Sequence, residues 1–243
     1  MLEQTSPSIP MSTPFQKRRF VVERSEESME PSVVRLGFWS ALLTGVFSLL
    51  FTFGLILGTG NLLPLPWDIV IPVGASLLLA PSFVVMMVSV HYAAPAEKRI
   101  WSHLGIAFAF IYAALASIVY VTWLFVAEPH VLRGEANQVA LLTFTPGSFL
   151  QMVDGLGYTF MGVATLFAAP VFAGKRLEKW IRWLCLLNGP GAVMVFLSYV
   201  SYGILGLPLL YGLLLGVWWS FLVPALAICL AVYFRRAGIQ RVS

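Results

Sequence analysis

The chain has 243 residues, of which 59% are hydrophobic and only 11% charged, and its formal net charge is +4. A soluble domain carries roughly 45–50% apolar and about 25% charged residues, so this composition excludes a water-soluble globular fold and predicts an all-α, polytopic integral membrane protein. The basic excess does not indicate nucleic acid, because the Lys and Arg residues flank apolar runs, where they orient membrane segments.

Residues 1–32 form a polar leader rich in Ser, Pro and Glu, with the basic cluster Lys17-Arg18-Arg19. Such a segment buries too little apolar surface to fold, and it is expected to be a disordered cytoplasmic leader. It does not read as a signal peptide, since the first apolar run starts after residue 35, is too long, and has no small-residue cleavage site behind it. Glu23, Glu26, Glu27 and Glu30 argue against a transit peptide.

The transmembrane domain is expected over 33–236, followed by a short cytoplasmic tail at 237–243. Six runs are long enough to cross the hydrocarbon core, at about 36–58, 68–91, 102–127, 148–173, 179–203 and 207–234. Fourteen of the fifteen Lys and Arg residues fall in the leader, the second and fourth connections and the tail. Only Arg133 lies on the other side. By the positive-inside rule both termini are cytoplasmic, in a plasma or inner membrane. Trp39, Trp101, Trp180 and Trp183 near the inner ends, and Trp67 and Trp123 near the outer ends, fit aromatic belts.

The long third connection, about 128–147, has an apolar middle, "VALLTF", expected to lie along the outer interface as a short helix or a lid. Ser148 with Gln151 three residues on is a capping-box pattern that opens the fourth span. Inside that span stands Asp154. Counted from Ser148, it lies about 9 Å below the outer end at 1.5 Å per residue, too deep for a short side chain to reach the headgroups. Gln151, Tyr158 and Thr165 share its helical face. A carboxylate at this depth costs kcal/mol if it faces lipid, so Asp154 is expected to face the bundle interior.

The fifth span repeats Asn188, Ala192, Val195, Tyr199 and Tyr202 on one face. With Tyr120 of the third span at a similar level, these residues suggest an outward-facing ligand or proton site of Asp154, Tyr158, Tyr199, Tyr120 and Gln151, with Tyr158 and Tyr199 as the nearest company of the carboxylate. The bland alternative is that the tyrosines only pack helices together. Asn188, Gly189, Pro190 and Gly191 predict a hinge, since proline removes a backbone hydrogen bond and Asn188 is placed to satisfy a freed group. Pro72, Gly74 and Pro81 interrupt the second span similarly, a pattern seen in transporter repeats.

Other constellations are weaker. His91 and His103 flank the second connection and read as interfacial; His130 with Glu128 and Glu135 is the one combination for an outer metal or proton site, and no metal is assigned. Cys185 and Cys229 lie in apolar runs as small hydrophobes. Gly54/Gly58 and Gly212/Gly216 are GxxxG spacings that allow close helix approach. No HExxH, GxSxG or phosphate loop is present, so no cofactor and no catalytic residue is assigned, and enzymatic activity stays open. The expected partners are the lipid bilayer and either a second copy or a membrane-complex subunit, with no nucleic acid. The leading reading is a small transporter or solute-binding subunit with a polar pocket around Asp154. The alternatives are an integral membrane enzyme acting on a lipid or isoprenoid, and a non-catalytic subunit or assembly factor.

Overall fold

The computed structural model describes residues 29–145, 147–174, 176–206 and 210–239. The expectations for residues 1–28 and for the last residues of the tail lie outside the described residues. Every regular element among the described residues is helical. The long helices are α1 (Pro31–Thr59), α2 (Trp67–Ala93), α3 (Arg99–Thr122), α5 (Phe149–Ala168), α6 (Arg176–Leu205) and α7 (Leu210–Ile239); α4 (Glu128–Leu132) is a short piece in the third connection. Among the described residues, six stretches are long and apolar enough to cross a membrane. The first helix begins at Pro31, inside the segment expected to be leader, because proline at the first helical position needs no hydrogen-bond partner for its nitrogen. Its 29 residues measure about 43 Å at 1.5 Å per residue, more than the ~30 Å hydrocarbon core.

The long helices close a ring in which each packs on its sequence neighbours, α1–α2–α3–α5–α6–α7, and α7 returns to α1. Val34 meets Gly238 and Gly37 meets Phe234, so both ends of the described chain lie at one end of the ring, here the proximal end. Gly58 of α1 meets Asp68 of α2 at the opposite, distal end. Across the middle, α2 also touches α5.

Burial follows the logic of a lipid solvent. The buried residues of α1 are all small, Gly37, Ser40, Ala41, Thr44, Gly45, Ser48, Thr52 and Gly54, while Leu36, Trp39, Leu50 and Phe53 face outward. Lipid tails supply no drive to bury large apolar groups, so small residues take the helix–helix contacts. Trp39, Trp67, Trp101, Trp180 and Trp183 are all exposed near the helix ends. The Gly54/Gly58 pair serves the α1–α2 contact, where a side chain at Gly54 would press on Pro72.

The third span outruns its expected end at 127. After Thr122 the chain winds through a π turn, Trp123–Ala127, and continues as α4 to Leu132. Pro129 offers no N–H, and its ring would crowd the carbonyl four residues back; the wider π turn just ahead of it relieves that crowding. The chain then reverses at Gly134, whose φ of 77° is in the left-handed region glycine tolerates. A 3₁₀ segment, Ala136–Leu142, follows, and Phe144 stacks on Trp123 with ring centroids 4.3 Å apart.

Candidate functional site

Ser148 opens α5, its hydroxyl oxygen accepting from the Gln151 N–H at 3.2 Å. The reciprocal bond of a capping box is displaced by one residue, since Gln151 Oε1 accepts from the Gly147 N–H at 2.7 Å. Gln151 is thereby occupied at the helix entrance, one turn short of the carboxylate it was expected to join.

Asp154 points into the ring and is 7% exposed. The Tyr120 hydroxyl of α3 donates to Asp154 Oδ1 at 2.7 Å, and the Tyr158 hydroxyl stands 2.7 Å from that of Tyr120. Ser76 Oγ of α2 lies 3.4 Å from the Tyr158 hydroxyl, the loosest link of the chain. Three helices thus contribute to one row of oxygens. A tyrosine hydroxyl has one proton to give. With Asp154 ionised, Tyr120 spends its proton on the carboxylate, Tyr158 donates to Tyr120, and Ser76 donates to Tyr158. With Asp154 protonated the row can reverse, each hydroxyl donating away from the carboxyl group. No ion pair holds Asp154; among the described residues the salt bridge present joins Arg133 and Glu135 at 3.2 Å, both exposed at the distal end.

The expected neighbours are corrected in rank. Tyr120, not Tyr199, is the direct partner of the carboxylate. Tyr199 lies against Gly155, within electrostatic reach of Asp154, and makes no hydrogen bond to it. Two members were not foreseen. Ser76 is fully buried, and Tyr112, also fully buried, packs its ring on Tyr158 at 5.6 Å. The spacing Tyr112, Ala116, Tyr120 on the third span was the available signal, since residues four apart share a face.

A second polar contact lies deeper. Asn188 Nδ2 of α6 donates to Thr165 Oγ1 of α5 at 2.9 Å, and Thr165 passes its own proton to the Gly162 carbonyl at 2.8 Å. Between the two levels a void of about 10 Å³ is lined by Ser48, Thr52, Tyr158 and Ser220 among others. That is close to the lower limit for holding one water molecule, about 10–15 Å³. The stripe Ser40, Thr44, Ser48 and Thr52, at strict four-residue spacing on the buried face of α1, was another signal left unread.

The expected hinge is not a break. The helix α6 runs unbroken through Asn188, Gly189, Pro190 and Gly191. Pro190 faces outward, while Gly189 and Gly191 are buried. A Cβ on Gly162 of α5 would sit 2.6 Å from Ala192 Cβ, and one on Gly189 would sit 3.1 Å from Leu166 Cβ. The glycines therefore let α5 and α6 cross closely, and Asn188 serves Thr165 rather than a freed backbone group. The combination of His130, Glu128 and Glu135 also fails to converge: His130 Nδ1 bonds the Val126 carbonyl, Glu135 holds Arg133, and Glu128 is buried elsewhere. At the proximal end, His91 Nδ1 pairs with Ser102 Oγ at 2.8 Å. Cys185 and Cys229 are both free thiols.

Taken together, the helices and their lipid-facing exterior define a multi-pass membrane protein with a buried carboxylate–tyrosine cluster. Searches of protein families, of curated proteins and of solved structures return no match to this chain.

Proposed function

We propose that the chain is a small membrane transporter or solute-binding subunit in which Asp154 takes up and releases a proton or a small cation. One observation carries this reading. A carboxyl group buried within the bundle is held by the Tyr120 hydroxyl and, among the described residues, makes no ion pair with Lys or Arg. A buried charge without a counter-ion is costly, and ionisable groups inside membrane bundles mark ion or proton pathways. The row Asp154–Tyr120–Tyr158–Ser76 gives a proton a way to move along hydroxyls by reversal of their donor direction. The Thr165–Asn188 contact is a separate polar pair nearer the proximal end, and the small void beside Tyr158 is lined mainly by apolar surface. In this reading the proximal end is cytoplasmic, in accord with the distribution of Lys and Arg.

The test is proton movement in vesicles containing the purified protein and a pH-sensitive dye. An imposed pH step should relax faster with wild-type protein than in empty vesicles. Asp154→Asn, which keeps the shape and loses the titrating proton, should abolish the difference while leaving the helical circular dichroism unchanged. A wild-type rate in folded Asp154→Asn would reduce the cluster to a packing device and sink the proposal.

A further inference from the structure

At the distal end lies a cleft of about 450 Å³. Its floor is Ile69 of α2 with Trp123 and Glu128 from the extension of the third span; its roof is the third connection, which contributes Asn137, Phe144 and Thr145. Glu128 is the one charged residue in the lining, and only 7% of it is exposed. Asp68 stands close enough to Glu128 to interact with it electrostatically, and Asp68 Oδ1 is buried with no hydrogen-bond partner among the described residues. The nearest Lys or Arg in sequence, Arg133, is taken by Glu135, and His130 Nδ1 is bonded to the Val126 carbonyl. Glu128 thus lines the cavity, hydrogen-bonded to Trp123, with Asp68 behind it outside the lining, and among the described residues no Lys or Arg lines the cavity. Beside Glu128 the stacked pair Trp123 and Phe144 presents aromatic surface. The π turn Trp123–Ala127 forms part of the same wall, and such turns are enriched at functional sites.

We infer that this cleft binds a small organic cation, an ammonium group carried on an apolar or aromatic body. The ammonium would face Glu128, with Asp68 adding negative potential behind it, and the body would lie against Trp123, Phe144 and Ile69. Aromatic faces attract cations through their quadrupole, and a desolvated carboxylate binds an ammonium by charge-assisted hydrogen bonds. The volume falls within the roughly 300–1,000 Å³ of small-molecule sites. A bare metal ion fits less well, because no group of three His, Cys, Asp or Glu residues converges among the described residues and the remaining lining is mainly apolar. This inference stands apart from the role given to Asp154, since it needs neither that residue nor proton movement.

Calorimetric titration of the detergent-purified protein tests it with three matched probes: phenethylammonium, the neutral 2-phenylethanol and the anionic phenylacetate. The ammonium should bind, and the neutral and anionic analogues should bind at least about tenfold more weakly, since hydrogen bonds to charged groups are worth roughly that factor or more. Glu128→Gln should weaken phenethylammonium binding by a similar factor. Glu135→Gln, which removes an exposed carboxylate of the same connection, should leave it unchanged. Equal binding of the three probes, no binding of the ammonium, or equal losses in the two variants would overturn the inference. The probe comparison is made on wild-type protein and stands even if Glu128→Gln fails to fold.

Discussion

At the scale of single residues, the cluster around Asp154 depends on which hydroxyl sits in the middle. Tyr120 is bonded on both sides, to Asp154 and to Tyr158, at 2.7 Å each. Ser76 only closes the far end, at 3.4 Å. Tyr120→Phe takes the hydroxyl donor away from the buried Asp154 carboxylate, and should cost about 1–3 kcal/mol. Ser76→Ala should cost less than about 1 kcal/mol, since a long hydrogen bond between membrane helices is worth little. Thermal unfolding in detergent reads both, and a Ser76→Ala loss equal to that of Tyr120→Phe would contradict the order of the chain. The sequence placed Asp154 and Tyr158 on one face because helical spacing is a local rule. It ranked Tyr199 above Tyr120 because that ranking depends on how neighbouring helices are rotated, which spacing does not reveal.

At the scale of elements, the contrast lies between a proline that looks disruptive and a glycine that looks innocuous. Pro190 is on the outer face of an unbroken α6, whereas Gly162 sits where α5 and α6 cross. Pro190→Ala restores a backbone N–H and should leave stability unchanged or raise it, because an interior proline costs a helix about 3 kcal/mol and this one is exposed. Gly162→Leu should destabilise by at least about 1–3 kcal/mol, because even its Cβ has no room and the helices must separate. Unfolding of both variants in one detergent decides the matter; a large loss from Pro190→Ala with none from Gly162→Leu would restore the hinge. The same lesson applies to Pro129, where a π turn absorbs a residue that the sequence marks as a helix end.

At the scale of the whole molecule, the ring of six spans brings residues 34 and 238 together at the proximal end. On the orientation proposed from the distribution of Lys and Arg, that end faces the cytoplasm. A reporter fused after Ser243 should be active in the cytoplasm, and one inserted at Asn137 in the distal connection should be active on the other side. Two reporters on the same side would overturn the orientation. Inverting the bias by adding Lys residues to the distal connection should reduce correct insertion, because orientation follows basic residues near the span ends.

What the sequence determined alone was the class, the six apolar spans and the inward facing of Asp154. Each follows from a local quantity: hydropathy over about twenty residues, or the cost of a carboxylate in hydrocarbon. Tertiary structure decided what no local quantity contains. It paired α3 with α5 so that Tyr120 meets Asp154, brought Ser76 across the ring to Tyr158, and folded the third connection over Glu128. These contacts join residues up to 82 positions apart. They arise because the helices, apolar over most of their length, settle their rotation only when small residues and hydroxyls on their neighbours offer the closest packing and the available hydrogen bonds.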